Sequence, residues 1–244
     1  MEAFFFFIFF AIAIVILISV VFFSKKAIIK RKLKKSVLRK IADFKDGELA
    51  RIVGTVEFVD APLLSPLSNR KCSYYYVHIE QKVSSGKNSK WKTIIEEEIS
   101  NKFLIREETS CAFINDSKIK SYIVQDESYS SGFFTDASEN LENYLASKGY
   151  KSEGSWGFNK TLRYKEGILE EGEKIAVFGM GEWKDAAELN LPEKYGQVLA
   201  IKSSAEDSIY LSDDPDTTEK NTAKSISSEN PITNEIRKKR RYRK

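Results

Sequence analysis

Between residues 3 and 23 the chain carries no polar side chain except Ser19. A run this long and this apolar has few folds open to it. As a helix rising about 1.5 Å per residue it reaches roughly 30 Å, the thickness of a bilayer's hydrocarbon core. A secretory signal peptide starts with a cationic region and ends in small residues. Here Glu2 precedes the run and Val21, Phe22 and Phe23 close it, so a retained transmembrane helix is expected over 1–24. A buried globular helix fits poorly, because eight phenylalanines crowd in before residue 24 with no polar face.

Next come Lys25, Lys26, Lys30, Arg31, Lys32, Lys34, Lys35, Arg39 and Lys40, with no acid among them. Cations flanking a span stay on the cytoplasmic side. The expected topology is therefore single-pass, with the N-terminus outside and everything from Lys25 onward in the cytoplasm. Ile29, Leu33, Val37 and Ile41 recur every four residues, which predicts a basic amphipathic helix within 25–46. Two readings of it stay open. It continues the membrane helix and packs on the domain, or it lies along an anionic leaflet with these nine cations as membrane-surface residues.

Seven more cations fill 237–244. Without these sixteen and without Glu2, residues 41–236 hold 23 Lys plus Arg against 34 acids, a net of −11. A nucleic-acid reader carries its basic patch on the folded domain, so that class is set aside. With two cysteines and one histidine, the chain has too few ligands for the usual four-coordinate Cys/His zinc site. No metal and no cofactor are expected. In a reducing cytoplasm no stable disulfide is expected either.

From about Leu49 the pattern turns to extended segments. "ELARIVGTVEFV" is rich in β-branched residues, and "CSYYYVHIEQKV" alternates Tyr74, Tyr76, His78 and Glu80 with Tyr75, Val77, Ile79 and Gln81. "VSSGKNSK" reads as a hairpin turn and "WKTIIEEEIS" as the returning strand. Further strands are expected at 103–106, 111–114, 119–124, 161–168, 174–181 and 198–203. One helix interrupts them in "DASENLENYLASKGY", with Asp136 as cap, Glu139 three residues on, Leu141, Tyr144 and Leu145 as its apolar face and Gly149 as its stop. "KSEGSWGFN" reads as an exposed connection. From 213 the chain is nearly devoid of apolar residues and is expected to be disordered. The fold class is thus mainly β, a β-rich α+β arrangement. A transmembrane helix is followed by an antiparallel β domain with one helix over 47–212 and a disordered, basic-ended tail over 213–244.

The stretch "VDAPLLSPLSNRKCSYYYVHIEQ" holds the chain's only histidine. Residues before Pro62 and Pro66 are pushed to extended conformations, which predicts an ordered connection between strands. Together with "GTVEFV", "FLIREETSCAFI" and "RYKEGILEEGEKIAVFGMGEW", this stretch resembles the GIDE, or "beside-a-membrane" (BAM), domain of a mitochondrial ubiquitin-ligase family. Tyr164, Glu166, Gly172 and Gly179 fall in that family's late hairpin pattern, and the resemblance covers roughly 47–212. Glu107 and Ser110 stand where the family shows Asp and Gly. The resemblance implies a RING finger and a second membrane helix in the family, and the sequence shows neither. A RING needs eight Cys or His ligands for two zinc ions, against three available here.

Catalytic residues are not expected. His78 lies mid-strand with no nucleophile pattern beside it, Cys72 at a strand start reads as packing, and Gly179-Met-Gly181 lacks the third glycine and the helix of a dinucleotide fingerprint. The expected partner-binding surface is the loop around Pro62, Leu63, Pro66 and Leu67 with Tyr74, Tyr76 and His78. The expected function is a membrane-anchored, non-catalytic interaction or scaffold protein whose partners are the lipid bilayer, anionic headgroups and membrane-associated proteins. The alternatives are a ubiquitin-ligase-related protein lacking its own catalytic module and an extracytoplasmic binding module.

Overall fold

The structure is a computed structural model that describes residues 2–86, 88–131, 138–153 and 159–219. α1 covers Glu2–Phe22 and α2 covers Lys25–Lys35. In α1 the side chains are described at residues 5–10, 12–14, 20 and 22, and among the described residues no helix is long and apolar enough to cross a membrane. The large side chains described in α1 are uncovered, with Phe6 70% and Phe9 78% exposed. The two helices are separate. Ser24 is extended between them, and its Oγ accepts the Ala27 N–H at 3.3 Å, capping α2.

The β domain is built on strands β1 (Leu49–Phe58), β6 (Phe103–Glu107), β7 (Ser110–Ile114), β11 (Lys174–Asp185) and β12 (Gln197–Lys202). They pair in the order β1-β6-β7-β12-β11, and β11 pairs back onto β1, closing a barrel. Every pair in the ring is antiparallel except β7 with β12. This is the connectivity of an OB-type Greek-key barrel, a fold whose small interior is filled by side chains. Here Ile52, Phe103, Ile105, Ala112, Val177 and Leu199 fill it. β13 (Ile209–Ser212) extends the sheet from β11, and β8 (Ile119–Tyr122) pairs parallel to β13. The expected antiparallel domain therefore contains two parallel pairs, because long crossovers return β12 and β13 beside earlier strands.

Two insertions leave the barrel and meet. The first, after β1, holds β2 (Leu63–Leu64), β3 (Lys71–Cys72), β4 (Tyr74–Ser85) and β5 (Asn88–Ser100). The second, after β8, holds β9 (Glu127–Ser131), α3 (Glu139–Ser147) and β10 (Leu162–Leu169). They join in a four-stranded sheet, β5-β4-β10-β9, with Val77 and Ile79 packed against Leu141 and Leu145 of α3. The alternation expected along β4 is the one observed: Tyr74 joins the barrel core while Val77 and Ile79 join the second core. α3 begins later than expected. Ser138, not Asp136, is its cap, through a 3.4 Å bond from the Leu141 N–H, and Asp136 lies outside the described residues.

Between α2 and β1 the chain plugs one end of the barrel. The helix expected over 25–46 ends at Lys35, and a 3-10 turn, Ile41–Asp43, follows. Ile41 and Phe44 are buried in the barrel core, whereas Val37 is 54% exposed. The four-residue spacing thus continues past the helix without a shared face. Phe44 is held by the Trp183 indole, which donates to its carbonyl at 2.8 Å. Its ring lies 2.5 Å from where a side chain on Gly181 would begin, so Gly181 serves close packing.

The expected onset of disorder at 213 falls inside folded residues. α4 (Pro215–Thr218) is capped by Asp214, and Thr217 is fully buried. The buried Arg51 guanidinium donates from Nη1 to the Thr217 carbonyl at 2.7 Å. Asp214 and Asp216, among the acids that make this stretch look solvated, hold lysines of α2. Residues 220–244, the rest of the expected tail, lie outside the described residues, as do 154–158 of the connection read in "KSEGSWGFN".

β6 and β7 join through a two-residue turn in which Glu108 has φ +54°. Such a conformation costs a residue with a Cβ about 1–2 kcal/mol. Allowing for the looser unfolded chain, Glu108→Gly is expected to stabilise the fold by about 0.5–1 kcal/mol in urea unfolding.

Candidate functional site

α2 is fastened to the β domain on two counts. Ile29 and Leu33 are 1% and 0% exposed, packed on Ala176, Phe178 and Tyr210. Around them the helix's cations find carboxylates: Lys30 reaches Asp214 at 2.9 Å and Asp216 at 2.8 Å, Lys32 reaches Asp207 at 2.6 Å, Lys34 reaches Asp216 at 3.2 Å, and Lys25 pairs with Glu98. The Asp216 contact and the Asp214 pair outweigh burial and raise the Lys30 pKa. Beyond α2, Arg39 pairs with Glu48 and Lys40 with Glu108.

Six of the nine cations expected at a membrane surface are therefore paired with this chain's own acids. Of the others, Lys26 stands 4.7 Å over the Tyr122 ring, Arg31 stacks on Phe22 and donates to the Phe22 and Ala27 carbonyls, and Lys35 is exposed. Of the four-residue stripe, Ile29 and Leu33 pack on the domain within α2, which the extended Ser24 separates from α1. The acids that receive Lys30, Lys32 and Lys34 sit in "EDS" and "SDDPD", which composition alone marks as solvated.

At the junction of α1 and α2 lies a cavity of about 280 Å³. Ser24, Lys25 and Lys26 form one wall. Tyr74 and Tyr76 of β4, Glu96 and Glu98 of β5, and Ser121 and Tyr122 of β8 form the other. The groups are linked. The Tyr74 hydroxyl bonds Ser121 Oγ, Ser121 donates to Glu98 at 3.0 Å, and Tyr76 donates to Glu96 at 3.2 Å. Burial, and then the neighbouring carboxylates, push the phenol pKa of both Tyr74 and Tyr76 well above the ordinary value, so both stay neutral donors. The Lys25 ammonium pairs with Glu98 and stands 5.9 Å over the Tyr76 ring. The wall built from β4 and β5 thus accepts an alkylammonium ion.

The expected partner-binding residues divide. Tyr74 and Tyr76 reach the cavity, and His78 stacks on Tyr76 at 6.3 Å with its Nε2 3.1 Å from Thr93 Oγ1. The loop lies elsewhere. The buried Glu166 carboxylate accepts the Leu67 and Ser68 N–H groups at 2.9 and 3.0 Å, and Asn140 donates to the Leu67 carbonyl at 2.9 Å. Leu67 and Tyr74 are 7% and 2% exposed, so their side chains belong to the two cores and not to a partner. Pro62, Leu63 and Pro66 are half-buried, and Leu64 is the exposed apolar residue of the loop. The order expected of this loop comes from Glu166.

Cys72 and Cys111 are buried free thiols. Burial, with Glu166 and Glu170 nearby, pushes Cys72 up to about 12 from 9.0. That leaves roughly a thousandfold less thiolate than in an exposed cysteine. N-ethylmaleimide followed by mass spectrometry is expected to leave Cys72 unmodified in the native chain and to label it after unfolding. Among the described residues no group of three or more His, Cys, Asp or Glu could hold a metal ion. In comparisons with protein-family models, curated proteins and solved structures, nothing matches this chain.

Proposed function

We propose that this chain is a single-pass membrane protein in which α1 spans the bilayer, with its N-terminus outside, and holds a non-catalytic, GIDE-like β domain against the cytoplasmic face as a platform for membrane-associated proteins. One observation carries this reading. The fold leaves the described apolar side chains of α1 uncovered while it fastens the adjoining basic helix to the barrel through Ile29, Leu33 and its ion pairs. An all-round apolar helix without protein cover is at home in lipid. The α2 cations have a double use: as a cluster beside the span they favour cytoplasmic retention, and once retained they hold the domain. The partner-facing surface runs over Leu64 and the exposed edge of Tyr76 and His78.

Alkaline carbonate extraction and protease protection test it. The expected result is a chain that stays in the membrane pellet, with its β domain digested only after the cytoplasmic side is opened. Release by carbonate, or digestion of the domain from outside intact cells, contradicts it.

A further inference from the structure

The cavity beside Ser24 opens two residues beyond the end of α1, at the depth where headgroups lie if α1 spans the bilayer. Its charges are arranged as a dipole. Lys25 and Lys26 come from the helix wall, and Glu96 and Glu98 from the sheet wall, which also carries the rings of Tyr76 and Tyr122 beneath Lys25 and Lys26. The four charges cancel, so an anion alone meets Glu96 and Glu98, and a cation alone meets Lys25 and Lys26. A molecule with a phosphate at one end and an ammonium at the other matches both walls. At about 280 Å³ the cavity is at the small end of ligand sites, sized for a headgroup and not for acyl chains.

We propose that this cavity binds the zwitterionic headgroup of a phospholipid, with the phosphate against Lys26 and a primary ammonium displacing Lys25 from Glu98 and the Tyr76 ring, beside Glu96, so that the freed Lys25 turns to the phosphate. The seat of the ammonium is already outlined by the chain's own Lys25, which pairs with Glu98 and stands over Tyr76. Two carboxylates and the Tyr76 hydroxyl supply acceptors for the three N–H donors of ethanolamine, whereas a trimethylated ammonium leaves those acceptors unmet. The aromatic faces add cation–π attraction and exclude water from the ion pairs. This inference rests on α1 being in the bilayer, and it names one ligand class for the domain that the anchor holds there.

Native mass spectrometry of the full chain in detergent tests it, with phosphatidylethanolamine and phosphatidylglycerol of identical acyl chains as probes. The expected result is retention of the ethanolamine lipid roughly tenfold above the glycerol lipid, the worth of one charge-assisted hydrogen bond. Glu96→Gln is expected to remove most of that preference while leaving phosphatidylglycerol unchanged, and Lys26→Gln to weaken both. Unchanged melting temperatures show that these variants fold. Equal retention of the two lipids, or a preference that survives Glu96→Gln, overturns the proposal. Glycerophosphoethanolamine, which has no acyl chains, serves as the soluble arm. If it binds as tightly as the lipid, the bilayer is not the source and the proposal is overturned. The anchoring reading stands or falls separately, on carbonate extraction.

Discussion

Leu33→Ala is expected to loosen α2 from the barrel by about 3 kcal/mol, within the usual range for emptying a fully buried leucine site. Leu33 is 0% exposed among Ile29, Ala176, Phe178 and Tyr210, with Val53 and Tyr122 at the margin. The surrounding ion pairs cannot absorb the loss. They lie near solvent, where each pair is worth a fraction of that amount, and Lys30 to Asp214 is the best sheltered of them. The effect is expected to be local before it is global. α2 can swing away and leave the barrel closed, so the melting temperature understates the change. Trypsin reads it directly. Lys30, Arg31 and Lys32 are protected while the helix is docked, and a 3 kcal/mol shift raises the open population by roughly two orders of magnitude. Cleavage after Lys30, Arg31 and Lys32 should accelerate accordingly, whereas Lys35→Ala, on the exposed face, should leave the rates at those three sites unchanged.

The second large effect is a pH dependence. Burial, with Glu173 and Asp126 nearby, raises Asp213 from 3.8 to about 7, against the 2.8 Å hydrogen bond it accepts from the Val124 N–H. Between those two values the folded chain binds a proton that the unfolded chain has released, so stability falls as pH rises through this window. Three units correspond to about 4 kcal/mol at most, and partial solvent access to Asp213 brings the expected figure to about 2–4 kcal/mol. Asp213→Asn keeps the acceptor for Val124 and cannot ionise. It is expected to match the parent near pH 4 and to exceed its stability by that amount at pH 8. Urea unfolding of both chains across the range measures it, and a constant difference from pH 4 to pH 8 contradicts the buried-acid reading.

The same residue shows why part of the fold was legible in the sequence and part was not. Strands whose apolar residues recur at period two, such as Tyr75, Val77 and Ile79, could be read directly, because a pleated strand with one buried face writes that pattern. The hairpin at Gly86 and the Glu170-Glu171-Gly172 turn could be read because glycine marks positive φ there. Asp207, Asp213, Asp214 and Asp216 could not. A carboxylate that receives a lysine from 170 or more residues away, as Asp207, Asp214 and Asp216 do, or the distant Val124 N–H, as Asp213 does, leaves no local signal, and the stretch holding it looks like a solvated tail. β13 was lost for the same reason, as four residues between two acidic runs.

The helical stripe was half legible. Ile29 and Leu33 share a helix face, but Ile41 is buried through a separate turn that plugs the barrel, so one spacing covered two structures. At the candidate site Tyr74 and Tyr76 were visible in the sequence. The cavity they line depends on bringing β4, β5, β8 and the start of α2 together, which only the topology fixes. The loop 62–69 was visible as ordered, but its organiser, Glu166, lies about a hundred residues away.

Anchor and barrel behave as one body only if α2 stays docked when α1 is in lipid, and a spin-label distance reports this most directly. Labels at Lys35→Cys, on the exposed face of α2, and Ser117→Cys, on the loop before β8, can be read with Cys72 and Cys111 protected by burial. In bilayer nanodiscs a single narrow distance distribution is expected, unchanged from detergent and broadened by Leu33→Ala. A broad distribution in the parent chain, with α2 lying on the leaflet away from the barrel, contradicts the account.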